Sequence, residues 1–285
     1  MRLLRRILIT IGVTLAVAFL IMEWIAPVAL SYYGASKAPA VARVVPTELK
    51  DRTVSEVSGT RLKYVGYEFE VPWTDLDEAR TKLYPKDKPT RVVLEFHSGL
   101  RLMVTAIPAR EMVSGLPAEL KTSPQEMEAA FGPDAMQSDY NFVKALYEFS
   151  PEKMHHWIIS SNVFGREASL LILKSLAPLK CAESGIFKVQ NETFKGFQQG
   201  NAQIREDGVA VNLYTDDGSV EIIFAEKNYG HGALVTQPEI NRIIQSLRKA
   251  SQRIPDRAYF KNLANMRSAS TEMNNACPRA STSPF

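Results

Sequence analysis

The apolar residues of this chain change their spacing three times, and that order of periods restricts the fold more than any other feature. Alternation typical of strands covers about residues 61–107, helical spacing follows over 123–176, alternation returns over 186–224, and the last pattern is helical. Strands that follow one another directly favour antiparallel pairing, and grouped helices favour a separate layer. The sequence therefore predicts an α+β fold class, with a mainly antiparallel sheet and flanking helices over residues 53–250.

Two strand pairs carry clear turn signals. Residues 209–214 and 220–224 flank Asp216-Asp217-Gly218, and Asp-Gly supplies the positive φ that a tight turn needs. Residues 91–96 and 100–107 are separated by His97-Ser98-Gly99. Both pairs are predicted to form hairpins.

The pattern before these hairpins is less regular. Alternation over 61–71 is interrupted by Gly66 and closed by Pro72, which predicts one strand with a bulge at the glycine. Residues 75–84 precede Pro85 and are predicted to form a short helix.

Capping residues mark two helices. Ser138 precedes a segment with Phe142 and Leu146 on one side, and is expected to be an N-cap. Thr236-Gln-Pro-Glu239 is a capping box with apolar residues at i, i+3, i+4 and i+7 behind it, which predicts an amphipathic helix on the core.

An uncharged run lies at the N-terminus. Residues 1–6 hold three arginines, and the apolar residues that follow extend, with Glu23 as the exception, to Leu30. This layout predicts a transmembrane signal anchor at 7–30 with lipid as its partner; a cleaved signal peptide is the alternative. The positive-inside rule then puts residues 1–6 in the cytoplasm, a juxtamembrane linker at 31–52, and the domain outside a single-pass inner-membrane protein.

The charge is unevenly distributed. The chain of 285 residues has 34 Lys+Arg and 31 Asp+Glu, a net charge of +3. Residues 240–285 carry +6 and residues 1–6 carry +3, which leaves −6 on 7–239. The near balance argues against a nucleic-acid partner, and the basic end at 251–285 is expected to be a disordered tail.

The candidate site residues are few. The spacing of Glu152, His155 and His156 would let side chains on one helix share a metal ion. No distant third ligand is evident, however, and a solvated helix face explains these residues better. Cys181 and Cys277 could form a disulfide or remain two thiols, and the sequence leaves both open. We predict no catalytic residue and no cofactor.

The order of elements resembles the PsbP-like family of α/β/α sandwich domains over about residues 61–250. The resemblance rests on the opening strand Tyr67-Glu-Phe-Glu-Val-Pro72-Trp73, the central helices, the Asp-Asp-Gly hairpin and the closing helix at 243–247. It implies an interaction or assembly module, since that family is mostly non-catalytic, and it transfers no site residue.

Two functions remain open at this point. The first is a membrane-anchored protein whose extracytoplasmic domain binds or assembles with a protein partner without catalysis. The alternative is an extracytoplasmic enzyme or small-molecule-binding protein whose pocket residues come from distant strands.

Overall fold

The chain divides into two compact units, residues 1–45 with 115–179, and residues 46–114 with 180–285. The computed structural model describes most of the second unit and short parts of the first. The described residues are 40–57, 59–111, 132–153, 185–203, 208–226 and 235–250, together with Thr14, Glu128 and Lys174.

The described residues of the second unit form two sheets and one α-helix. The strands are β1 Thr47–Glu48, β2 Thr60–Tyr64, β3 Tyr67–Val71, β4 Lys82–Tyr84, β5 Arg91–Glu95, β6 Leu100–Pro108, β7 Ile186–Gln190, β8 Lys195–Gln199, β9 Val209–Thr215, β10 Gly218–Glu226 and β11 Arg248–Lys249. The larger sheet has eight strands in the order β1-β7-β8-β9-β10-β6-β5-β4, and the smaller has three in the order β11-β3-β2. All pairs are antiparallel except β1 with β7.

One face of the large sheet forms the core. Residues of β6 lie opposite residues of β10 from Leu100↔Glu226 to Pro108↔Gly218, so alternate apolar side chains of both strands point the same way. They pack with the small sheet and with helix α3, Gln237–Ser246. The fully buried members on β5, β6, β9 and β10 are Val92, Leu94, Leu102, Val104, Val209, Val211, Leu213, Val220, Ile222 and Phe224.

Both predicted hairpins are confirmed, as β5–β6 and β9–β10. The prediction of a single bulged strand over 61–71 is wrong, because Val65 and Gly66 both have positive φ, 45° and 86°. Two such residues make a tight hairpin turn, and Tyr64 pairs with Tyr67 directly across it. The predicted helix over 75–84 is wrong too, since a single 3-10 turn at Glu78–Arg80 leads into β4.

Helix α3 begins as its capping box predicts. The backbone N–H of Thr236 donates to the Glu239 carboxylate at 2.7 Å. Ile240, Ile243 and Ile244 are buried on the side that faces the core. The helix packs chiefly along β3, which fixes the position of its C-terminal end.

The first unit is described in parts. Helix α1 is Ala40–Arg43, and helix α2 is Asp139–Glu148. As predicted, the Ser138 side chain caps α2 by accepting from the backbone N–H of Asn141 at 3.2 Å. A 3-10 turn, Pro151–Lys153, follows α2, and residues 154–173 lie outside the described part.

The predicted fold class needs two corrections. Strand is the main element of the described residues, with eleven strands against three short α-helices, so within them the helices that flank the sheet contribute less than the sequence predicts. None of the helices in the described ranges is long and apolar enough to cross a membrane. This finding lends no support to the N-terminal transmembrane helix or to the single-pass inner-membrane localisation that the sequence predicts. Residues 7–30 themselves, except for Thr14, lie outside the described part.

Candidate functional site

A polar pocket of about 250 Å³ lies in the second unit, beside the C-terminal end of helix α3. We call it the arginine pocket. Three stretches of chain that are distant in sequence form its walls: strands β2 and β3, the turn between β7 and β8, and the residues from the last turn of α3 into β11. Its lining residues are Arg61, Glu68, Phe69, Glu70, Asn191, Glu192, Thr193, Gln245, Ser246, Leu247 and Arg248.

Glu68 holds two arginines in this pocket. Its Oε1 lies 2.9 Å from Nη2 of Arg248 and 3.5 Å from Nε of Arg61. The hydrogen bond from Arg248 lowers the pKa of Glu68, and the same bond raises the pKa of Arg248. Both arginine side chains stay more than half exposed, 67% for Arg61 and 56% for Arg248. Together the three charges present +1 to solvent.

Strand geometry explains why these groups meet. Arg248 on β11 lies directly opposite Glu68 on β3, and Arg61 on β2 lies opposite Glu70, two residues along the same face. Diagonal neighbours across a strand pair are within reach of long side chains. The arginines therefore converge on Glu68 from the two strands that flank it.

Glu70 forms the inner wall. Its Oε1 accepts from Nη2 of Arg242 at 2.6 Å, and that bond is the main cause of the lowered pKa of Glu70. The backbone N–H of Glu70 donates to Oγ of Ser246 at 2.9 Å. These contacts fix the end of α3 against β3, so the pocket has rigid walls.

Asn191 closes the other wall. Its Nδ2 donates to the carbonyls of Ile244 at 2.6 Å and Leu247 at 3.0 Å, two acceptors at the end of α3. Its Oδ1 accepts from the backbone N–H groups of Thr193 and Phe194, both at 2.8 Å. All four hydrogen-bonding positions of this amide, two donors and two lone pairs, are thus used, and Asn191 is a helix cap.

Lys174 of the first unit has the most perturbed pKa among the described groups. Burial, and then the charge of Lys153, lower the pKa of Lys174 to about 8. Its Nζ donates to the carbonyls of Val44 at 2.7 Å, Tyr147 at 2.8 Å and Phe149 at 2.6 Å. A pKa of this size is typical of catalytic lysines. Here, however, the side chain is fully buried and all three N–H donors are used, so Lys174 is a structural anchor at the end of α2.

The predicted metal site is only partly described. Glu152 forms an ion pair with Arg43, and a hydrogen bond from its own backbone N–H is the main cause of its lowered pKa. His155 and His156 lie outside the described residues. Within the described ranges, no three His, Cys, Asp or Glu residues are placed to hold a metal ion.

Cys181 and Cys277 also lie outside the described residues, so a disulfide and two free thiols both stay open. The tail at 251–285, which is expected to be disordered, lies outside the described residues as well.

The residues of the arginine pocket are absent from the sequence prediction. One signal was available, because Arg61-Leu62-Lys63 and Glu68-Phe69-Glu70 alternate charge and apolar side chains on two adjacent strands. It becomes informative only when the turn at Val65-Gly66 is recognised and the register is known.

Comparison of the chain with protein-family models, with curated proteins and with solved structures finds no match. The comparisons give no family evidence for the resemblance to PsbP-like domains.

Proposed function

We propose that the chain is a non-catalytic binding or assembly protein and that the arginine pocket is its ligand site. The arrangement around Glu68 supports this proposal most directly. Two guanidinium groups converge on one carboxylate, yet both remain largely exposed and able to bind a further acceptor. Groups of this kind recognise a ligand by charge and hydrogen-bond geometry.

The construction of the pocket supports the same function. Arg242, Ser246 and Asn191 are engaged with the backbone or with Glu70, and they join α3 to the small sheet and to the β7–β8 turn. Such prior contacts reduce the side-chain entropy that a ligand must immobilise on binding. The site is therefore suited to binding with little rearrangement.

Site-directed photocrosslinking in the cells that express the full chain tests this proposal. A photoreactive residue at Gln245, on the exposed rim, is expected to yield a specific adduct; the same probe at Lys86, exposed elsewhere in the second unit, serves as the position control. Adding Arg248→Ala should abolish the adduct, whereas Arg52→Ala, which removes another exposed paired arginine, should leave it intact.

The proposal fails if Gln245 and Lys86 yield the same adducts, or if Arg248→Ala has no effect. Chemical turnover of a molecule captured at Gln245 would instead favour the enzyme alternative.

A further inference from the structure

The donors of Arg61 and Arg248 are mostly uncommitted. A guanidinium has five N–H donors in a fixed plane. Among the described residues, Arg248 makes its hydrogen bond to Glu68, while Arg61 makes only the longer 3.5 Å contact to the same oxygen. Nη2 of Arg248 lies 2.9 Å and Nε of Arg61 lies 3.5 Å from the same oxygen, Oε1 of Glu68. The separation of the two nitrogen atoms therefore cannot exceed the sum of these distances. At that separation, a planar group with two acceptor atoms can contact both guanidiniums at once.

The surrounding charges limit what that acceptor can be. Arg242 neutralises Glu70 at 2.6 Å. Three positive charges then face the two carboxylates of Glu68 and the exposed Glu192: those of Arg61, Arg248 and Lys63, which lies opposite Glu68 on β2. A single negative charge is attracted by the two exposed guanidiniums. The surplus is one positive charge, so a dianion would keep one negative charge without a counter-charge in the pocket and would lose more hydration than a monoanion.

Building on the proposed function, we propose that the arginine pocket binds a carboxylate group through Arg61 and Arg248, beside Glu68. A carboxylate has one negative charge and a planar pair of oxygens that fit the guanidinium fork. The polar side chains of Thr193 and Gln245 line the same space and can contact the rest of the ligand. The carboxylate belongs either to a small organic acid or to the C-terminus of a polypeptide.

Titrations of the full chain at constant ionic strength test the ligand class. Backbone resonances of Thr193 and Leu247 are followed by NMR as acetate or inorganic phosphate replaces chloride at pH 7.5. Acetate is expected to give saturable shifts at lower concentration than phosphate, which is largely a dianion at this pH. Equal or tighter binding of phosphate would overturn the assignment to a carboxylate.

Substitution of Glu68 gives the sharper test. Glu68→Gln keeps the size of the side chain and removes its negative charge, so acetate should bind about threefold or more tightly. A merely structural ion pair predicts no gain. Arg61→Ala and Arg248→Ala should each weaken acetate binding about threefold or more, whereas Arg52→Ala should not. Unchanged acetate affinity in Glu68→Gln, or equal affinities in the three arginine variants, would refute the proposal.

Trialanine and its C-terminal amide distinguish the sources of the carboxylate. Tighter binding of trialanine than of acetate, with loss in the amide, indicates a polypeptide terminus; equal binding of acetate and trialanine indicates a small acid. If neither acetate nor trialanine binds, the carboxylate proposal is refuted, and the crosslinking test still decides the proposed function independently. If acetate binds but the probe at Gln245 gives no specific adduct, the assembly function is contradicted and the carboxylate site is supported.

Discussion

Nε1 of Trp73 donates a hydrogen bond to Oε1 of Glu239 at 3.0 Å, which joins the end of β3 to the first turn of helix α3. The other oxygen of this carboxylate accepts from the backbone N–H of Thr236 at the N-cap. Trp73 also packs edge-on against Phe96, with ring centroids 5.3 Å apart. Tyr67 and Phe69, the other aromatic residues of this stretch of sequence, are buried in the core.

Glu239→Ala should destabilise the second unit by about 1 to 2 kcal/mol, because it removes both the capping-box contact and the acceptor of Trp73. Chemical denaturation with fluorescence detection measures the change. Glu56→Ala, at an exposed position, is the matched control and should stay within about 0.5 kcal/mol of the wild type. A Glu239→Ala protein as stable as this control would contradict the prediction.

Gln198 and Gln237 form a reciprocal amide pair inside the same unit. Nε2 of Gln198 donates to Oε1 of Gln237 at 2.8 Å, and Nε2 of Gln237 donates back at 2.9 Å. Both side chains are buried. Gln198→Leu should therefore cost about 1 to 3 kcal/mol in the free energy of unfolding, since it leaves Oε1 of Gln237 without its donor and Nε2 of Gln237 with only its bond to Asn241.

The double variant Gln198→Leu with Gln237→Leu tests the cause of that loss. It should be less destabilised than the two single variants added together, because no half-satisfied amide remains between these positions. Strict additivity of the two changes would show that the pair is not coupled.

Asn191→Ala should cost about 1 to 3 kcal/mol by removing the donors that cap α3 at Ile244 and Leu247. The last turn of α3 should then exchange its amide hydrogens faster than the first turn, as measured by hydrogen exchange. Asn201→Ala is a suitable control, since that side chain accepts only a local bond from Gln203. Uniform exchange along α3 would show that Asn191 does not hold its end.

The lowered pKa of Lys174 predicts that the free energy of unfolding depends on pH, with a definite sign. In the folded chain its pKa is about 8, below the ordinary value of 10.5 that the unfolded chain retains. Between these values the unfolded state binds a proton that the folded state lacks, so the free energy of unfolding rises with pH. The contribution of this group is bounded at about 3 kcal/mol.

Lys174→Met should remove this rise, even though it also lowers stability at every pH by leaving three carbonyls without their donor. The slope of the free energy of unfolding between pH 8 and 10 is the measurement, and the exposed Lys86→Met is the control for the loss of a lysine. Equal slopes in wild type and Lys174→Met would contradict the lowered pKa.

Local signals account for the parts of the fold that the sequence predicted correctly. The β9–β10 hairpin depends on Asp217-Gly218, and the start of α3 depends on Thr236 and Glu239, all close in sequence. The turn at Val65-Gly66 was missed because a β-branched residue at φ 45° is unfavourable and is not expected from its type. Strand β4 was missed because three residues are too few to show a period.

The site could not be predicted for a different reason. Arg61, Asn191 and Arg248 come from segments more than fifty residues apart, and only the sheet register brings them together. No motif of fixed spacing connects them, and their residue types are common on any solvated surface. Long-range pairing therefore determines the site, and sequence periodicity carries little information about it.

Strand β6 pairs with β10 although residues 109–217 separate them along the chain. During synthesis β6 cannot pair with β10 until residue 226 has been added. Until then the β5–β6 hairpin exposes an apolar face and the unpaired edge of β6. Closing so long a loop adds entropic cost and slows folding relative to a chain of local contacts. We therefore expect a nascent chain that ends before β9 to depend on chaperones more than the complete chain does.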